Sequence, residues 1–187
     1  MKTIVVAVII WTLATAAAAK PVPEAERIPV DVRRTTFIVK DAGASLPLYR
    51  DALGMKVIYD QVLESGDPKD TENYKKRRLV LLRANDDFIG VLGLLQYMAP
   101  VKPEHRDRFD VPVPGDPIVV INADNLQQVW PKVVAVPGLE VISPPERIEY
   151  PRASGGTIAV MQSMIRDPNG YWIEINKILD APAGLEK

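Results

Sequence analysis

Polar and apolar positions alternate in several short runs of this chain, and the runs are broken by glycine, proline and asparagine. Arg34-Thr35-Thr36-Phe37-Ile38-Val39-Lys40 is rich in β-branched residues and predicts a strand. Past Asp41 and Gly43 the spacing turns helical, with Leu46, Tyr49, Ala52 and Leu53 on one side. Ser45 is placed to cap that helix, Pro47 is tolerable in its first turn, and Gly54 stops it. Residues 55–59 read as a short strand. Residues 61–76 mix both signs of charge with Gly66 and Asp67-Pro68, and read as a solvated loop. Residues 78–84 and 88–97 predict a hairpin about Asn85-Asp86-Asp87.

A connection with prolines at 100, 103, 112, 114 and 117 follows, and then the same order begins again. Residues 118–121 predict a strand. Asp124 with Gln127 resembles a capping box, and Leu126, Val129, Trp130 and Val133 form an apolar helix face. Pro131 should kink or split that helix, because it removes a hydrogen bond from its middle. Gly138 ends it, and residues 139–142, 146–150, 156–166 and 171–177 read as strands. Asp167-Pro168-Asn169-Gly170 fits a type I turn between the last two. Each half thus reads strand, helix, strand, strand, strand, which is an internal repeat of α+β type. Val39-Lys40-Asp41 and Ile121-Asn122-Ala123-Asp124 lead from strand into helix in the two halves.

The ends add a second layer. Lys2, an apolar run at residues 4–13 and Ala17-Ala18-Ala19 have the form of a signal peptide cleaved after Ala19, which implies a secreted or periplasmic protein. That run is short for a membrane span, so no stable membrane insertion is expected after cleavage. The predicted organisation is a leader at 1–19, an extended lead-in at 20–31, a first βαβββ module at 32–98, a Pro-rich connection at 99–115, a second module at 116–178 and a tail at 179–187. With no cysteine, disulfides, thiolate metal sites and cysteine nucleophiles are excluded. The sole histidine, His105, sits among charges in the Pro-rich connection and reads as a solvated linker residue. A net charge of −1 leaves no electrostatic footprint for nucleic acid.

Three stretches carry a family resemblance: Phe37-Ile38-Val39-Lys40-Asp41, Ser45-Leu46-Pro47-Leu48-Tyr49-Arg50-Asp51-Ala52-Leu53-Gly54-Met55, and Asp167-Pro168-Asn169-Gly170-Tyr171-Trp172-Ile173-Glu174. They resemble the vicinal oxygen chelate superfamily, which holds glyoxalase I, extradiol dioxygenases and bleomycin-resistance proteins. The resemblance implies two βαβββ modules forming a cupped mixed sheet, with helices on the convex face and a divalent metal in the cup. The family draws that metal's ligands from the first and last strands of each module. Carried over by position, these places fall on Arg34, Leu94, Pro117 and Glu174, with Gln96 beyond Leu94 and Asp116 beside Pro117.

Glu174 alone is a donor in place, so a divalent metal is possible but disfavoured, and the sequence leaves the cofactor unknown. A guanidinium cannot ligate a cation. Arg34 instead suggests a fixed positive charge set against Glu174, the pair acting on a ligand, with Glu174 as a general base if freed, or merely closing the cup. Thr36, Gln96, Val119, Ile121, Trp172 and Asn176 are candidate lining residues. The implied function is the holding of a small organic molecule. Three versions remain open: a divergent lyase, isomerase or dioxygenase-like enzyme, a sequestering protein of the bleomycin-resistance type, or an accessory structural domain. The modules pair either within one chain or between two, in a homodimer.

Overall fold

The computed structural model describes residues 22–103, 110–152 and 155–180. The predicted leader with its cleavage point, His105 and the tail beyond Asp180 lie outside them. Residues 28–180 form one compact unit. Of the other unit the described part is short, a 3-10 turn at Glu24–Glu26 with Arg27 Nε donating to the Val22 carbonyl at 3.0 Å.

Within 28–180 one topology occurs twice. The first module is β1 (Arg34–Val39), α1 (Ala42–Leu46), β2 (Lys56–Ser65), β3 (Lys75–Arg83) and β4 (Val91–Ala99). The second is β5 (Ile118–Asn122), α2 (Leu126–Val134), β6 (Glu140–Pro151), β7 (Thr157–Arg166) and β8 (Trp172–Ile178). Each makes a four-stranded mixed sheet, in the orders β1-β4-β3-β2 and β5-β8-β7-β6. The first strand of each module runs parallel to its last, and the other pairs are antiparallel. This is the α+β repeat expected from the sequence.

Several local expectations are corrected. The segment read as a loop is strand at both ends, because β2 continues to Ser65 and β3 begins at Lys75, with the loop confined to residues 66–74. Charges within and beside it pair across the two strands: Glu64 with Lys76 at 2.8 Å, and Asp60 with Arg78 at 2.7 Å just outside it. The two short strands read at 139–150 are one strand, β6, bent by register shifts between Val141 and Ser143 and between Ser143 and Glu146. Ser45 does not cap the first helix. Asp41 does, its Oδ1 accepting the Gly43 N–H at 2.7 Å. After α1 the chain winds on as a π turn over Pro47–Ala52, with the Leu53 N–H reaching back to the Leu48 carbonyl at 3.0 Å. Asp124 makes no capping box either, since its Oδ1 accepts from Asn122 Nδ2 at 3.0 Å. Pro131 lies inside α2 without ending it.

The helices cover one face of each sheet, and the core lies beneath them. Phe37, Val39, Leu82 and Leu94 from the first sheet join Leu126, Val133, Ile165, Ile173 and Ile175 from the second module in a single buried cluster. That sharing brings the signature segments of both modules together.

Candidate functional site

Strand parity decides which side chains meet a ligand. On β1 Phe37 and Val39 are buried, whereas Arg34, Thr36 and Ile38 point to the face away from the helix. On β8 Ile173 and Ile175 are fully buried, so Trp172, Glu174 and Asn176 share the opposite, open face. Parity overturns three of the expected lining residues. Gln96 pairs with Val39 in the parallel ladder, which puts it on the helix side, and there its Oε1 accepts the Ala42 N–H at 3.2 Å. It closes the start of α1 instead of facing a ligand. Leu94 is on the same side and fully buried. Val119 and Ile121 pack against the core, leaving Ile118 and Val120 on the open side.

The remaining candidates do not converge on one point. Thr36 lies over Gly93, where an added Cβ would stand 2.8 Å from its Oγ1. Arg34, exposed at the start of β1, makes no ion pair or hydrogen bond among the described residues, so the expected Arg34–Glu174 pair is not formed within the chain. Glu174 Oε1 accepts from Asn176 Nδ2 instead. The Asn176 Oδ1 is buried and has no hydrogen-bond partner among the described residues. Next along the same face, Trp172 is covered by the Arg166 guanidinium, 4.4 Å from its ring, and Arg166 Nη1 is 3.1 Å from Glu140 Oε2.

The donor set does not fit a divalent metal. Of the four places the family uses, Leu94 is in the core, Arg34 and Pro117 have no lone pair to give from their side chains, and Glu174 is the remaining one. Among the described residues no three His, Cys, Asp or Glu side chains converge as a metal group would need.

The signature turn has a second role that sequence reasoning missed. Its local geometry is as expected: the Gly170 N–H reaches the Asp167 carbonyl at 2.8 Å, and Gly170 takes φ 88°. Asp167 Oδ1 accepts the N–H groups of Asn169 and Tyr171, each at 2.9 Å. The same turn then clasps the first module. Tyr49 donates its hydroxyl to Asp167 Oδ2 at 3.0 Å, and Asn169 Nδ2 donates to Ser45 Oγ at 2.7 Å. Tyr171 accepts the Ile38 N–H at 3.0 Å and donates to the Ile38 carbonyl at 2.8 Å, while Asn169 Oδ1 accepts the Lys40 N–H at 3.0 Å. Ile38 and Lys40 turn these groups away from β4, so the turn satisfies the C-terminal end of the outer edge of β1 with side chains. The Tyr171 ring stacks on Phe37 with centroids 4.2 Å apart. Burial raises the Asp167 carboxyl above its ordinary range, against the pull of its four hydrogen-bond donors. Burial and the neighbouring Asp167 hold the Tyr49 hydroxyl well above its usual value, so it stays a donor.

The model of the Glyoxalase/Bleomycin resistance protein/Dioxygenase superfamily matches residues 32–175. Among solved structures, a glyoxalase family protein from Bacillus cereus superposes with a TM-score of 0.62 at 12% identity, covering 84% of this chain and 100% of its own. A glyoxalase/bleomycin resistance protein/dioxygenase family enzyme from Burkholderia phytofirmans PsJN gives a TM-score of 0.49 at 14% identity, covering 80% and 100%. The trypanothione-dependent glyoxalase I of Leishmania major gives 0.46 at 20% identity, covering 77% and 84%. No curated protein sequence matches significantly.

Proposed function

Because this chain belongs to the Glyoxalase/Bleomycin resistance protein/Dioxygenase superfamily, we propose that it holds a small organic ligand on the open face of β8, without the metal its relatives' site positions imply. One observation carries the reading. Asn176 Oδ1 is buried with no donor among the described residues, beside the carboxylate of Glu174. A buried acceptor left unpaired costs about 1–3 kcal/mol, and a ligand O–H or N–H placed there would recover it. Val120, exposed opposite Glu174 on β5, offers apolar surface for the ligand's body.

Holding in the manner of a bleomycin-resistance protein is the principal reading, and turnover with Glu174 as base is its enzymatic extension. Arg34 supports the binding side of this proposal only if a second copy brings it to Glu174, so a homodimer belongs to the same proposal. Export is a further part of it, resting on the leader form of residues 1–19.

Thermal shift against a panel of small hydroxylated and amino compounds, run in EDTA and again with Mn, Fe, Co, Ni or Zn, tests the reading. The expected result is a rise in Tm with an organic compound that EDTA does not remove and that Asn176→Ala abolishes. Stoichiometric metal in the purified protein, or a shift indifferent to Asn176→Ala, would overturn it. Assay of the bound compound for conversion then separates holding from turnover.

A further inference from the structure

A cavity of about 640 Å³ opens where the ends of β1 and β4 meet the β7–β8 turn and the described ends of the Pro-rich connection. Its size suits a small molecule, and neither Glu174 nor Asn176 lines it. Among the described lining residues its charge is one-sided, with Lys40, Lys102 and Arg166 on its walls against the carboxylate of Asp116. Its aromatic surface comes from Tyr97, Tyr171 and Trp172.

Two of those rings already sit under cations. Lys102 Nζ is 5.2 Å from the centre of the Tyr97 ring, and the Arg166 guanidinium is 4.4 Å from that of Trp172. Arg166 is 7% exposed and tied to Glu140, so its position is set before any ligand arrives. Asp116 is engaged by its own loop, its Oδ2 accepting the Val113 N–H at 3.1 Å.

We propose that this cavity binds a planar organic anion, an aromatic or conjugated carboxylate. The ring system lies against the aromatic walls, and the carboxylate meets the lysine and arginine charges. A fixed guanidinium beside an aromatic wall rewards a ligand that supplies both a flat apolar body and an anionic head. A neutral ring forgoes the charge pairing, and an inorganic anion forgoes the apolar contact. Trp172 stands at the edge of the open face of β8, but neither Glu174 nor Asn176 lines the cavity, so the proposal does not depend on ligand binding at those two residues.

The test uses 2-naphthoate as probe, titrated calorimetrically into the full-length protein beside its neutral counterpart 2-naphthamide. The expected result is saturable 1:1 binding of 2-naphthoate, about tenfold or more tighter than 2-naphthamide. Lys102→Gln should weaken 2-naphthoate about fivefold and leave 2-naphthamide unmoved. Asp116→Asn should tighten 2-naphthoate a few fold, roughly in line with removal of one like charge, and a misfolded protein cannot give that gain. Lys56→Gln, a lysine outside the cavity, removes the same charge from the molecule and should change neither affinity. Failure of 2-naphthoate to saturate, equal affinity for the two probes, or equal effects of Lys102→Gln and Lys56→Gln would overturn the proposal.

Discussion

Tyr49 carries a hydroxyl into the interior, and its partner Asp167 lies 118 positions away in sequence. In the sequence Tyr49 reads as one more apolar helix position and Asp167 as a local turn former, so their meeting could not be read from either. Tyr49→Phe should lower stability by about 1–3 kcal/mol, measured by urea unfolding. Asp167 gives a pH signature. Its folded pKa is raised above the ordinary value of 3.8, chiefly by burial. Its contribution is therefore full below that ordinary value and lost as pH rises through the raised one. Asp167→Asn lacks this slope. The stability gap between wild type and Asp167→Asn should be widest at acid pH and narrow as pH rises toward neutral; a gap that widens would refute the assignment. Gln96 teaches a different lesson. Apolar residues occupy both faces of β4, from Val91 to Leu95, so alternation could not say which side Gln96 faces.

Elements were legible wherever one face was clearly apolar. The order of strands and helices, the repeat and the Asp167–Gly170 turn all follow from pattern and turn chemistry. β2 and β3 were cut short because their charges look like solvent-facing loop. Pairs such as Asp60–Arg78 become visible only once the strands are side by side. Two predictions belong at this scale. Gly93→Ala should destabilise the first sheet by about 1–3 kcal/mol through its approach to Thr36, and Thr36→Ala should restore most of the loss in the same unfolding assay. Tyr171→Phe should leave the Ile38 N–H without its acceptor at the edge of β1, and amide exchange at Ile38 should quicken while that at Leu82 in mid-sheet stays slow.

At the scale of the whole molecule, the family and fold were within reach of the sequence, because signature stretches from both modules survive. The site was less legible. Four ligand positions could be counted, but whether Arg34 meets Glu174 depends on how modules face one another, which no local pattern encodes. Ile38, Ile118 and Val120 stay exposed on the open faces of the two sheets. Such apolar surface suits an interface between copies, and light scattering on a sizing column should give twice the chain mass. A value of one chain mass would remove the dimeric part of the proposal.

The turn that clasps β1 also sets an order of events. The side chains shown closing the end of the outer edge of β1 come from Asn169 and Tyr171, while β1 itself ends at Val39. During synthesis the first module can gather its strands but must wait for almost all of the second before that edge is sealed. Closure over so long a separation is slow compared with local pairing. A chain truncated ahead of Asp167 should therefore expose a strand edge ready to pair with a neighbour, and its fate should be association between chains, not a soluble half.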